Sequence, residues 1–351
     1  MATIRSSNFE LLRILLIVFV IVLHYNDSSR LGAFSFIENA SNLNRVFLYG
    51  MESFSLCAVN AFLCLSVYFL LNKSNVCVRK IVHIFTILFA YKFFSYLPSA
   101  ISHHSLSINH IVNCFVPSNY YANLYCVVFL LSPFLNLVTK KLDEKKYGVF
   151  IVIITVLFSV IPTITDYFLI TFTSFHRSSI SAISMYGNGR GFTLVNFILM
   201  YYIGGYVAKK NYGSLSKSLT VYPVSSLIIW VMMIVNRSAS IMYCNIFVVL
   251  QAASLVVVFK NINCQSVIIN SIAKSVWGIL CIHGMFMGLY CKKFPYDVNA
   301  DIKSLALHFV VCVLVVFASS LLWDKICSII LNPLEKLFDK IQAFNKKISA
   351  E

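Results

Sequence analysis

Charge is scarce in this chain: Asp, Glu, Lys and Arg make up only 12% of its 351 residues. Soluble domains carry about 25%. With 59% hydrophobic residues and a mean hydropathy of +0.81, the chain cannot cover itself with polar surface in water. Its solvent is therefore largely lipid. Pairing signals for cysteine are missing too. The 11 cysteines are odd in number and form no C-x-x-C pair, and Cys57, Cys64, Cys126, Cys281 and Cys312 fall in apolar segments. They read as small buried hydrophobes, and no metal site is expected. No Ser or Cys sits in a recognisable nucleophile motif. There is no internal repeat, low-complexity linker or soluble domain. A cleaved leader is not expected either, because Glu10 and Arg13 interrupt the first apolar run and no small-residue cleavage site follows His24-Tyr25-Asn26. The formal net charge of +15 does not point to nucleic acid, because the cations lie in short clusters between apolar runs, where membrane topology puts them.

What is present is a series of apolar runs of spanning length, roughly 17–25 residues. Expected spans lie near Phe9–Tyr25, Phe54–Leu71, Ile81–Leu97, Asn123–Val138 and Tyr147–Ile161. Further spans are expected near Thr193–Ala208, Val221–Asn236, Ile241–Phe259, Ser275–Tyr290 and Leu305–Trp323. Ile164–Phe175 is short and polar-edged and reads as re-entrant or as part of an outer loop. The expected fold class is an all-α polytopic transmembrane bundle of about ten helices with both termini cytoplasmic. Charge supports that orientation. The inner loops then hold Lys73, Arg79 and Lys80, then Lys140, Lys141, Lys145 and Lys146, then Lys209, Lys210 and Lys217, then Lys260 and Lys274. Outer loops hold fewer cations, and only the loop with Lys292, Lys293 and Lys303 breaks the alternation. After Trp323, Asn332 and Pro333 read as a cap and first-turn pair. Leu334, Leu337, Phe338, Ile341 and Ile348 follow at helical spacing with lysines opposite, which suggests an amphipathic helix on the cytoplasmic membrane surface.

Ionisable groups inside a membrane are costly and therefore functional suspects. The first span holds Glu10, Arg13 and His24. Arg13 and His24 share a helix face, roughly 16 Å apart along the axis, and Glu10 stands where it can pair with Arg13. A neutral imidazole is a natural general base for a hydroxyl. The alternative is that Arg13 snorkels to headgroups and His24 caps the outer end of the helix. His283, in the ninth expected span, is a second buried histidine, either across a site from His24 or a hydrogen-bonder between helices. Lys92 lies close enough to an outer end to snorkel. His103, His104 and His110 fall in an outer loop and read as solvated. Arg177 and Arg190 are weaker candidates for contact with a glycan from outside.

Arg13, ten intervening residues, then His24 resembles the first-helix signature of the acyltransferase-3 family of integral-membrane acyltransferases. Further stretches are similar in the same order. Ala58-Val59-Asn60-Ala61-Phe62 through Ser66-Val67-Tyr68-Phe69-Leu70 resembles the family's second-helix segment, and Lys73, Arg79 and Lys80 match its basic inner loop. Ser132-Pro133-Phe134-Leu135-Asn136, Tyr201-Tyr202-Ile203-Gly204-Gly205-Tyr206 and the block from Ile272 to His283 complete the likeness. One departure stands out: Val67 occupies the place of the family's usual Gly, which would permit close helix approach.

The resemblance implies acyl transfer, usually of acetyl from cytoplasmic acetyl-CoA as donor substrate, onto a sugar hydroxyl of a cell-surface or lipid-linked polysaccharide. It implies a bacterial inner membrane location, with residues 1–323 as a transmembrane acyltransferase domain and 324–351 as a cytoplasmic amphipathic tail. Carried over by position, His24 would be the base, and Glu10, Arg13 and His283 would complete the catalytic set. Arg13, Lys73, Arg79 and Lys80 would meet the acyl-CoA. Asn60, Ser66 and Tyr68 would contact the acceptor. Expected partners are acyl-CoA, the sugar acceptor and membrane lipid, with no nucleic acid and no metal. The competing reading is a non-enzymatic transporter or flippase, for which an intramembrane Arg–His stripe would also serve. Transporters more often show paired broken helices in equivalent halves, and no such pairing is legible in this sequence.

Overall fold

The structure, a computed structural model, describes residues 7–28, 32–71, 73, 75–102, 107–174, 189–209 and 215–348, with only the backbone for 98, 99, 102 and 330–348. The described residues are helical and contain no strand. In chain order the helices are α1 (Asn8–Asn26), α2 (Asn42–Ser55), α3 (Ala58–Leu70), α4 (Val78–Ser102), α5 (Ile108–Cys114) and α6 (Tyr120–Lys141). They continue as α7 (Glu144–Phe172), α8 (Leu194–Lys209), α9 (Leu215–Ser240), α10 (Ile246–Lys260), α11 (Val267–Ala273), α12 (Val276–Lys293) and α13 (Ile302–Ile348).

Among the described residues, 7 helices or unbroken pairs are long and apolar enough to cross a membrane, and 8 if α11 and α12, bent by 60° at Lys274-Ser275, form one span. The shorter apolar helices α8 and α10 occupy two more of the expected spans. The chain is a multi-pass membrane protein. Many helix starts are written in the sequence as side-chain caps that satisfy otherwise orphaned N–H groups. Asn119 accepts from the N–H of Ala122 at 3.0 Å, Asp143 from Lys146 at 2.8 Å, and Asn245 from Phe247 at 3.0 Å.

Several boundaries differ from expectation for physical reasons. The second span begins at Asn42 rather than Phe54, because α2 and α3 run together through a turn at Leu56-Cys57. α2 is too polar to read as apolar, yet it is fixed by Trp230, whose Nε1 donates to Val46 O at 2.9 Å while its ring packs on Gly50. Ile164–Phe175 is not re-entrant as far as it is described. α7 continues to Phe172 through two π-helical stretches, Val156–Val160 and Ile164–Leu169, on either side of Pro162. The proline removes one helical donor, and a widened turn accommodates it. The backbone also runs as one helix through Asn332-Pro333, so the expected cap there is not formed.

α1 is the hub. Leu12, Leu16, Ile17, Ile21 and Tyr25 are fully buried, and the helix packs against α2, α3, α10, α11, α12 and α13. Its first turn is tied down: Ser7 N donates to Cys264 O at 2.8 Å, and Asn8 Nδ2 to Phe259 O at 2.9 Å. Its last turn is held by Tyr25, whose hydroxyl meets His308 Nδ1 at 2.9 Å. The polar groups at its two ends are therefore presented at fixed places in the bundle.

Candidate active site

His24 lies on the last turn of α1, and α12 brings His283 against it. His24 Nδ1 and His283 Nε2 are in hydrogen-bond contact. The ring planes differ by 4° with centroids 4.7 Å apart. Parallel rings whose edge nitrogens touch must lie edge to edge in nearly one plane, not face to face. His283 Nδ1 meets the carbonyl of Ile279, one turn back, at 3.0 Å. A carbonyl only accepts, so this bond assigns the His283 proton to Nδ1. His283 Nε2 then carries a lone pair and accepts from His24 Nδ1–H, which leaves the His24 lone pair on Nε2. The relay from backbone carbonyl to His283 to His24 fixes the tautomer a general base needs.

The His pair borders a cavity of about 620 Å³, and His24 also borders a second one of about 380 Å³. Gly284 lines both, so the His24 imidazole forms part of the partition between them. The smaller cavity is walled by Met287, Gly288, Cys291 and Tyr296. A Cβ on Gly288 would meet no atom within 4 Å.

The larger cavity contains groups that sequence reasoning missed. Glu52, on α2, is buried, and its Oε2 accepts from Asn26 Nδ2 at 3.0 Å. Its signal was legible as an ionisable residue inside an apolar span, but the expected span began two residues later. Asp27 and Arg237 also line this cavity, as does Arg190, the residue read as a weak glycan contact. Arg190 sits in a left-handed turn, with φ of 53° at Gly189, 55° at Arg190 and 85° at Gly191. Left-handed backbone costs a side-chain-bearing residue about 1–2 kcal/mol. The turn is clamped by Tyr243 N donating to Arg190 O at 2.7 Å. Gly191 lies so close to the Tyr243-Cys244 backbone that a Cβ would collide.

Arg13 and Glu10 pair at the opposite end of α1, with Nη1 to Oε2 at 3.1 Å, and the guanidinium also lies 5.4 Å from the Phe69 ring centroid. The structure thus joins Glu10 to Arg13 and His24 to His283, but leaves roughly 16 Å of helix between the two pairs. Arg13, Lys73, Arg79 and Lys80 do not line the larger cavity. Lys80 turns onto α6, donating to the Tyr125 hydroxyl at 2.7 Å and lying 4.7 Å from the Phe129 ring centroid. Lys73 and Arg79 are exposed.

The three residues expected at the acceptor are otherwise engaged. Asn60 Nδ2 donates to Tyr243 O at 2.7 Å and Asn60 Oδ1 accepts from Asn196 at 3.0 Å, so this amide joins α3 to α8 and to the loop before α10. Ser66 Oγ donates to Phe62 O of its own helix at 2.8 Å, and Tyr68 packs on Phe9. None of the three lines the larger cavity. Lys92 caps the chain after α5, donating to Val116 O at 2.5 Å, and His110 packs in parallel on Tyr96. His103, His104 and Arg177 lie outside the described residues. Among the described residues no three His, Cys, Asp or Glu side chains converge as metal ligands.

The remaining stretches of the resemblance meet in one knot. Asn136 Nδ2 donates to the carbonyls of Leu70 at 2.9 Å and Lys73 at 3.1 Å, closing the end of α3, while its Oδ1 accepts from Tyr201 at 2.8 Å. Val67 is accommodated there. It is fully buried against Gly204, where a Cβ would stand 2.9 Å from the Cys64 backbone and 3.2 Å from the Val67 Cβ. The glycine that this close crossing requires is supplied by α8 rather than by α3.

An all-helical membrane bundle with an oriented histidine pair in the wall between two cavities defines a multi-pass membrane protein with a polar site inside the bundle. Residues 6–324 match the acyltransferase-3 family, described as an acyltransferase domain, and the chain belongs to that family. It is a membrane acyltransferase. No curated protein and no solved structure matches the chain.

Proposed function

We propose that the protein is an O-acyltransferase that moves an acyl group, acetyl in the simplest case, from acyl-CoA to a sugar hydroxyl of a cell-surface or lipid-linked polysaccharide. The observation that carries this reading is the His24–His283 relay at the boundary of two cavities. A hydroxyl in the larger cavity gives its proton to His24 Nε2 as its oxygen attacks the thioester carbonyl. The C–O bond forms, the C–S bond breaks, and the proton on His24 passes to the departing CoA thiolate. His283 Nε2 accepts from His24 Nδ1 throughout and stabilises the transient imidazolium. The smaller cavity, on the other side of the imidazole, suits the acyl end of the donor.

Arg13, held by Glu10, stands with Lys73, Arg79 and Lys80 as the candidate site for the CoA phosphates, which call for fixed cations. In this reading both termini are cytoplasmic in a bacterial inner membrane, all ten apolar helices span it, and the end of α13 emerges on its cytoplasmic side. Transfer of label from radiolabelled acetyl-CoA to glycan in membranes tests the proposal. Wild type should transfer label, and His24→Ala should lose it at matched folded expression. Absence of transfer by wild type to any surface glycan or lipid-linked sugar overturns the reading.

A further inference from the structure

Two guanidiniums face the larger cavity, and among the described residues no carboxylate is in ion-pair contact with either. Among the described residues, neither Arg190 nor Arg237 makes an ion pair or a side-chain hydrogen bond. Arg237 lies over the Phe34 ring, its Cζ 5.0 Å from the centroid, and Arg190 is carried on the left-handed turn held to Tyr243. Both are half-buried. Cations withdrawn from water are unfavourable until an opposite charge joins them. The cavity's carboxylates do not fill that role by contact: Glu52 Oε2 is taken by Asn26, and no ion pair links Asp27 to either arginine. Neutral sugars are held by hydroxyl hydrogen bonds and aromatic faces. Guanidinium forks match the planar oxygens of carboxylate and the oxygens of phosphate.

We propose that the larger cavity is an acceptor site for an acidic sugar, in which Arg190 and Arg237 bind a carboxylate or phosphate group carried by the acceptor. The aromatic wall made by Tyr120, Phe192 and Tyr243, whose rings pack at 5.3 and 4.5 Å between centroids, supports the sugar ring. Glu52 and Asp27 accept hydrogen bonds from ring hydroxyls, and the reacting hydroxyl faces His24. This rests on the acyltransferase reading for the word acceptor, but the anion site itself can be measured without turnover.

The full chain in phosphatidylcholine nanodiscs is titrated with methyl β-glucuronide, glucose 1-phosphate and, as the neutral control, methyl β-glucoside, with binding followed by saturation-transfer NMR. Wild type should bind one or both acidic probes about tenfold or more tightly than the neutral one, as expected for a charge-assisted contact. Arg190→Gln and Arg237→Gln should each remove most of that preference and leave glucoside binding unchanged. Arg190→Lys and Arg237→Lys should retain part of it, which separates lost charge from lost fold. Preference for the glucuronide identifies a sugar carboxylate as the source. Preference for glucose 1-phosphate identifies the phosphate of a linked sugar. Equal binding of all three probes by wild type, or an unchanged preference in both glutamine variants, overturns the proposal. His24→Ala should keep the acid preference. If the preference stands while wild type transfers no label to any acceptor, the anion site survives and the acyl-transfer reading fails. If transfer proceeds equally to neutral and acidic acceptors in wild type and glutamine variants, the acyl-transfer reading survives and this site fails.

Discussion

Replacing His283 probes the relay directly, because it removes the acceptor of His24 Nδ1–H without touching the nitrogen that takes the proton. In the proposed mechanism the bond between the two rings becomes charge-assisted as His24 takes the proton of the acceptor hydroxyl. Charge-assisted bonds contribute about 1.5–3 kcal/mol. At about 1.4 kcal/mol per decade, His283→Leu should lower kcat about 10–150-fold. His283→Gln places an amide oxygen where Nε2 stood and should lose less than about tenfold. The assay is label transfer from acyl-CoA to glycan at saturating donor, with thermal unfolding in detergent to show that each variant is folded. A folded leucine variant with wild-type kcat would refute the relay. Equal, severe losses in both variants would show that the imidazole itself, rather than an acceptor at that place, is required.

Further outcomes follow from the packing. Asn136→Ala removes two donors to the end of α3 and the partner of the Tyr201 hydroxyl; it should cost about 2–4 kcal/mol, read from denaturant or thermal unfolding. Gly278→Ala would push a methyl group into the Asp324 carboxylate, which accepts from the Tyr91 hydroxyl at 2.6 Å, and within 3.0 Å of the Tyr91 ring; overpacking of this kind costs about 1–3 kcal/mol and should lower the Tm. Val67→Gly should lower the Tm without raising kcat, because Gly204 already permits the crossing of α3 and α8. The N–H of Lys146 holds the pKa of the exposed Asp143 carboxylate below its ordinary value. The folded pKa is depressed, so the cap's contribution is present at neutral pH and lost as pH falls through that folded value. The Tm difference between wild type and Asp143→Ala should therefore shrink on acidification below about pH 4.

Much of the bundle was legible because apolar run length and cation clustering are local properties of sequence. Where the reading slipped, a tertiary partner had decided the matter. α2 carries Asn44, Arg45 and Glu52 and does not look apolar, yet Trp230 and Asn26 give it partners that a window of sequence cannot see. Ile164–Phe172 looked too short to stand alone because it does not stand alone: it extends α7 past Pro162. In the site, His24 and His283 were both singled out, but their contact spans 259 residues of sequence, and no spacing rule reaches that far. Arg237 and Tyr243 are single polar or aromatic residues near helix ends, without pattern until the fold gathers them around one cavity. Asn60 shows the reverse. A polar residue in an apolar helix invited a binding role, and the fold uses it to join helices.

The knot at the end of α3 bears on what likeness within this family records. Asn136, Tyr201, Gly204 and the carbonyls of Leu70 and Lys73 come from three separate stretches, and the contacts among them tie α3, α6 and α8 together. None of those atoms touches the His24 imidazole. A descendant that lost the imidazole but still had to fold would preserve these stretches unchanged, whereas one that took up a new acceptor could rewrite the walls around Arg190 and Glu52 and leave them intact. Likeness in these stretches therefore reports how the helices are fastened, whereas the chemistry rests on a handful of residues elsewhere in the bundle.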